Sequence, residues 1–157
     1  MEQKNLNIQF CQYDSINELI AEDKLLLEKA IEATNGSYSP YSKFRVGAAV
    51  KLDTGEIVQG ANQENAAFPS GLCAERTAIF AAHSQFPSSN IVAIALTAST
   101  QGKLLKDIVT PCGSCRQVMA ESQKRSGQKI KVIMGGTEKI WIFDSVDGVL
   151  PFIFDSI

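Results

Sequence analysis

Cys73-Ala74-Glu75-Arg76 and Pro111-Cys112-Gly113-Ser114-Cys115-Arg116 are the two segments around which this chain is organised. Together they offer three thiolates and one carboxylate. Zinc in proteins is nearly always four-coordinate. A structural site closes all four positions with protein ligands, whereas a catalytic site keeps three and leaves the fourth to water. Cys73, Cys112 and Cys115, with no fourth ligand evident nearby, read as the open kind. Glu75, two residues past the first thiolate, is placed to handle the proton of a water there. Residues i and i+2 of a regular helix face different ways. Cys73 and Glu75 can therefore serve one ion only from the opening turn of a helix, which is predicted over 74–82. Pro111 suits the start of a second helix, on which Cys112 and Cys115, three apart, are neighbours across the first turn.

A lone C-x-x-C is open to structural zinc, redox chemistry or chance. A structural zinc site usually brings a second ligand pair, and none is present. A thioredoxin-like pair would have no use for Cys73 or Glu75. The two segments together, each opening a predicted helix, carry the signal. Zinc with three thiolates has a net charge of about -1 before water ionises, which opposes that ionisation. Two helix N-termini aimed at the sulfurs would offset it, and Arg76 is favoured as a hydrogen-bond donor to thiolate sulfur. For Arg116 a surface charge and the same tuning role stay equally open.

The totals describe one ordinary globular domain. A chain of 157 residues is read as one domain over 1–157, with 1–27 forming an extension and the start of the first helix. The apolar fraction of 45% and charged fraction of 20% are ordinary for a globular protein. No apolar run reaches membrane-spanning length. Met1-Glu2-Gln3-Lys4-Asn5 lacks an apolar signal core, so the expected location is cytoplasmic. The net charge is -2 and no Lys/Arg stripe stands out. Nucleic-acid binders usually carry such a footprint, so the expected partner is a small molecule rather than a polynucleotide.

Working outward, Leu6, Ile8 and Phe10 alternate with polar residues and predict a short half-buried strand, with Cys11 read as a small buried hydrophobe. Ser15 and Glu18 fit a capping box, and Leu19, Ile20, Leu26, Leu27, Ala30 and Ile31 share one face of a helix over 16–34. Asn35-Gly36 would end that helix through a left-handed cap. Strands at 44–52 and 56–61 enclose the turn Asp53-Thr54-Gly55 and predict a hairpin. Asn62 and Glu64, two apart on an extended segment, point the same way. By themselves they read as a turn-stabilising asparagine and a solvated glutamate. His83, the only histidine, is placed at a helix C-terminus rather than on a metal. Further strands are predicted at 91–97, 129–134 and 140–143. The apolar tail 149–154 would be buried, in the chain's own core or against a neighbouring subunit. Strands alternating with helices indicate an α/β layered sheet, which the hairpin makes mixed.

Four linked segments carry a resemblance: Phe44-Arg45-Val46-Gly47-Ala48-Ala49, Gly60-Ala61-Asn62-Gln63-Glu64-Asn65-Ala66, Cys73-Ala74-Glu75-Arg76-Thr77-Ala78 and Pro111-Cys112-Gly113-Ser114-Cys115-Arg116-Gln117. In this order they resemble the cytidine deaminases, of the short-chain, three-cysteine, homotetrameric type, over roughly 28–154. The resemblance implies a three-layer α/β/α sandwich on a five-stranded mixed sheet. It implies Zn2+ on Cys73, Cys112 and Cys115, with Glu75 as the proton shuttle. It assigns Asn62 and Glu64 to the ribose 3′-hydroxyl, Phe44 to packing on the nucleoside and the Ala74 backbone to the pyrimidine O2. Phe68 and Phe154 would approach the ligand of adjacent subunits in a homotetramer with shared sites. The implied reaction is hydrolysis of cytidine or 2′-deoxycytidine to the uracil nucleoside and ammonia, in pyrimidine salvage. The segment before Glu28 is longer than usual and has no family role. Two rivals stay open: a deaminase for another cytosine-bearing compound, and a non-catalytic zinc-stabilised domain.

Overall fold

The computed structural model describes residues 1–155. Along the chain lie β1 (Cys11–Tyr13), α1 (Ala21–Ala33), β2 (Phe44–Leu52), β3 (Ile57–Ala61), α2 (Ala74–Gln85), β4 (Ile91–Thr100), β5 (Lys103–Leu104), α3 (Gly113–Ser126), β6 (Lys131–Gly135) and β7 (Ile140–Phe143). The strands make one sheet in the order β1-β7-β6-β4-β2-β3, with β5 beside β4. β4 and β6 run parallel, and the other pairs are antiparallel. The expected five strands are its body, β7-β6-β4-β2-β3. The sheet counts seven because β1 extends one edge and the two-residue β5 pairs with the end of β4.

Side chains of a strand alternate between faces, and here both faces are covered, so the alternation sorts residues between two cores. Ala48, Val50, Leu52, Ile94, Leu96, Val132 and Met134 face α2 and α3 and pack with Ala78, Ile79, Ala82 and Met119. Ala49, Ala93, Ala95 and Ile133 face the other way, under Leu26, Leu27 and Ala30 of α1. This is the α/β/α sandwich the sequence implied.

Two glycines bring helix backbone directly onto strand backbone. A Cβ on Gly47 would lie 2.1 Å from the Ala30 carbonyl oxygen. One on Gly60 would lie 2.4 Å from the Ala78 nitrogen and 2.7 Å from the Ala74 oxygen. Gly60 thus lets α2 rest on β3, and this contact sets the position of the helix's first turn.

Several local expectations need correction. The N-terminal strand lies at Cys11–Tyr13 rather than over 6–10, and it pairs with β7. Leu6 and Ile8 are exposed, while the Phe10 ring packs at 4.6 Å from Trp141 and 5.1 Å from Phe143. Cys11 is exposed, not buried. The helix expected over 16–34 is broken. Ser15 caps a single 3-10 turn, Ile16–Glu18, by accepting from the Asn17 nitrogen, and α1 starts only after the extended Ile20. Gly36 sits in a second 3-10 turn, Thr34–Gly36, and is not among the glycines with positive φ. The tail is buried only at its start: Val149 belongs to the core with Leu150 packed against it, whereas Phe152 and Phe154 are exposed. No helix among the described residues is long and apolar enough to cross a membrane.

Candidate metal centre and adjoining cleft

Cys73 is the N-cap of α2 and Cys112 the N-cap of α3. Pro111 stands one position before that cap, at the entry to the helix. Cys115 is the third residue of α3, buried against Met119 and Ala120. The two helices share one face of the sheet and touch further along, where His83 Nε2 and Ser122 Oγ are 3.0 Å apart. The lone histidine therefore braces α2 against α3 and stays off the metal cluster. Burial, and then the Arg125 charge, hold its pKa below the usual value.

The three thiol sulfurs all lie within 4.8 Å of one another. Cys73 and Cys112 are 4.0 Å apart, and Cys112 and Cys115 are 3.5 Å apart. Zinc–sulfur bonds of about 2.3 Å in tetrahedral geometry put sulfurs roughly 3.8 Å apart, so this donor set fits one zinc ion. Among the described residues, no histidine or carboxylate joins the cluster. Cys115 is buried, Cys73 partly so and Cys112 exposed, which leaves one side open. The Cys115 thiol hydrogen-bonds to the Cys73 sulfur and does most to pull the Cys73 pKa down to about 5. Burial opposes that shift, and Arg76 and Cys112 add to it. The same hydrogen bond, followed by burial and the Glu75 charge, pushes the Cys115 thiol up.

Glu75, in the first turn of α2, is 4% exposed. Its carboxyl pKa is raised, chiefly by burial and also by the nearby Cys73 charge, while its own backbone N–H and Cys115 pull the other way. The Arg76 guanidinium donates from Nη2 to Cys73 Sγ at 3.6 Å. Its Nε is buried without a hydrogen-bond partner. Arg116 resolves differently. It donates from Nε to the Pro111 oxygen at 2.8 Å and from Nη1 to the Val149 oxygen at 2.9 Å, so it braces backbone rather than sulfur.

Cys73 and Arg76 line a cleft of about 560 Å³ that also carries Tyr41, Asn62, Glu64 and Phe68. Small-molecule sites typically occupy roughly 300–1,000 Å³. Asn62 and Glu64 both line this cleft, Asn62 bonded to Ser37 and the start of β2 and Glu64 to the loop before it. Asn62 Oδ1 accepts from Ser37 Oγ at 2.6 Å and from the Val46 nitrogen at 2.8 Å. Its Nδ2 donates to the Phe44 oxygen at 3.0 Å, so it also does the turn-stabilising work its local context suggested. Glu64 is not simply solvated. Its Oε2 accepts from the Tyr41 nitrogen at 2.9 Å and the Ser42 nitrogen at 3.2 Å, and its Oε1 accepts from the Ser42 hydroxyl.

The remaining expected residues are spread around this core. Phe68 is 78% exposed at the cleft mouth, edge-on to Tyr41. Phe44 opens β2 beside the Asn62 amide. Ala74 is fully buried at the start of α2. Phe154 does not line the cleft. Its backbone is clasped by Gln117, which donates from Nε2 to its oxygen at 2.8 Å and accepts from its nitrogen at 3.2 Å. Sequence reading passed over Ser37, Ser42 and Gln117. Ser37 and Ser42 stand in a stretch recognisable only as a loop, and their partners lie 25 and 22 residues away.

Comparison with known proteins agrees with this geometry. Residues 20–129 match the family model described as "Cytidine and deoxycytidylate deaminase zinc-binding region". The cytidine deaminase of Halalkalibacterium halodurans is 49% identical over 98 residues, which cover 62% of this chain and 70% of that protein. The cytidine deaminase of Sporosarcina psychrophila is 46% identical over 106 residues, 68% of each chain. The crystal structure of cytidine deaminase from Burkholderia pseudomallei superposes with a TM-score of 0.68 at 35% identity, covering 83% of this chain and 97% of that one. The enzyme from Mycobacterium tuberculosis gives 0.65 at 31% identity, covering 83% and 95%. With the matched span covering all three thiols, and these superpositions covering most of the fold, the chain belongs to the cytidine and deoxycytidylate deaminase family of zinc-binding proteins.

Proposed function

We propose that the chain hydrolyses cytidine and 2′-deoxycytidine to uridine and 2′-deoxyuridine with release of ammonia, as a cytoplasmic enzyme of pyrimidine salvage made of one deaminase domain. The observation that carries this reading is the three-thiol cluster: Cys73 stands on the wall of the cleft that holds Asn62 and Glu64, with the buried Glu75 two residues further on. Cys73, Cys112 and Cys115 hold zinc, which supplies Lewis-acid activation of water when bound. Glu75 takes a proton from the attacking water to the ring N3 as the water oxygen bonds to C4, then carries the proton of the new C4 hydroxyl to the amino group, so that the C4–N bond breaks, ammonia departs and the C4 carbonyl remains. Asn62 and Glu64 receive the ribose 3′-hydroxyl, Phe44 packs on the nucleoside and the Ala74 backbone holds the pyrimidine O2. Arg76 donates to the Cys73 sulfur and moderates the charge of the three-thiolate site.

The active assembly is read as a homotetramer. The exposed Tyr41–Phe68 pair at the cleft mouth and the exposed Phe152 and Phe154 support it, since each offers apolar surface that a neighbouring copy would cover.

Purified protein mixed with cytidine should lose the cytosine absorbance band and release one ammonia per nucleoside. Turnover should vanish with a chelator and return with zinc, and light scattering should give four times the chain mass of 17.0 kDa. No turnover in protein that holds zinc would dismiss cytidine and direct attention to modified cytosines. Arg76→Ala should retain zinc and lose about 10–100-fold in turnover, the range for groups that support metal ligands. Zinc content and kcat measured together check this, and unchanged turnover would remove Arg76 from the mechanism.

A further inference from the structure

We propose that Ser42 is a positioning residue for substrate recognition, its hydroxyl fixing the plane of the Glu64 carboxylate that meets the sugar. This rests on the reading of Glu64 as acceptor for the ribose 3′-hydroxyl. The geometry that carries it lies in the loop before β2. Two backbone N–H groups, from Tyr41 and Ser42, occupy Oε2 of Glu64, and the Ser42 hydroxyl alone among the described residues holds Oε1. A carboxylate gripped at one oxygen still rocks about its terminal bond, and a donor on the second oxygen stops it.

The hydroxyl itself has no freedom to turn away. Lys43 takes a φ of 59°, a left-handed conformation uncommon for a residue with a side chain. That turn brings the Phe44 nitrogen back to donate to Ser42 Oγ at 3.0 Å. With a lone pair occupied by Phe44, the single hydroxyl hydrogen is directed to Glu64. One serine thus ties Glu64 to the start of β2, where Phe44 stands. The hydrogen bonds from Ser42 and Tyr41 also hold the Glu64 carboxyl below its ordinary pKa, the Ser42 hydroxyl doing most. Glu64 therefore stays a pure acceptor, matched to a ligand hydroxyl that donates.

The test compares cytidine with 3′-deoxycytidine on the zinc-loaded enzyme. Ser42→Ala should lower kcat/KM for cytidine by about 10–100-fold, the range for a hydrogen bond to a charged group, mainly through KM, because the contact is made in ground and transition states alike. For 3′-deoxycytidine the same substitution should change nothing. Ser42→Thr, which keeps the hydroxyl, should retain the discrimination between the two nucleosides. Ser42→Ala added to Glu64→Gln should bring no further loss, since both act through one interaction. Ser42 is exposed, so melting temperature and zinc content should match the parent. Equal losses on both nucleosides, or additive losses in the double variant, would overturn the role of Ser42. A parent enzyme that does not distinguish the two nucleosides would instead overturn the reading of Glu64, and this inference with it.

Discussion

Glu75→Gln should bind zinc as the parent does and deaminate cytidine about 10²–10⁴-fold more slowly, the usual worth of a positioned general acid–base group. The substitution keeps shape and volume in a site where the side chain is 4% exposed, so the fold has no reason to move. What is lost is a carboxyl able to accept and return a proton. Burial raises the carboxyl pKa of Glu75, which strengthens it as a proton acceptor, and an amide has no equivalent step. Zinc analysis beside steady-state kinetics separates the outcomes. Turnover within tenfold of the parent would sink the assignment. Zinc lost in step with activity would make Glu75 a support for the metal rather than the proton carrier.

Gly60→Ala should destabilise the protein by about 1–3 kcal/mol or more, as overpacking of a tight contact does, and lower its zinc occupancy. The added Cβ would meet the Ala78 nitrogen and the Ala74 oxygen, which are backbone atoms of α2. A flexible side chain could swing aside, but here the whole helix must lift from β3. Cys73, Glu75 and Arg76 travel with it, so stability and metal binding should fall together. For a chain of this size each kcal/mol is worth about 2–4 °C in melting temperature. Gly113→Ala provides the contrast, since a Cβ there meets nothing within 4 Å and the melting temperature should hold. Equal melting temperatures for Gly60→Ala and the parent would show that α2 does not depend on this contact.

The metal cluster was legible because its geometry is local. Cys73 with Glu75, and Cys112 with Cys115, need only the opening turn of a helix to face one point, and that spacing is written in the chain. The layering was legible through Val46 to Leu52 and Ile91 to Thr97, whose apolar and small residues serve both faces. What escaped depended on distant partners. The alternation of Leu6, Ile8 and Phe10 is a good strand pattern, but the edge of β7 pairs with Cys11–Tyr13 instead. Apolar spacing carried the first helix straight through Ile20, where the backbone is extended. Nothing around Ser42 announces Glu64, because the bond between them exists only once β2 and β3 have closed the loop.

The strand Cys11–Tyr13 has one more consequence. A sheet that ends in a long, bare strand is a template on which other chains can build, and short or covered edges are a common protection against aggregation. Here β7, short but made of Ile140-Trp141-Ile142-Phe143, would be an apolar bare edge. The N-terminal segment seals it with a ladder of three residues, a Gln12–Trp141 side-chain hydrogen bond of 2.9 Å and the Phe10 ring laid over Trp141 and Phe143. It leaves only a three-residue strand facing outward, too short to recruit a partner easily. This segment, which lies ahead of the residues matched by the family model, thus covers an apolar edge that would otherwise be bare.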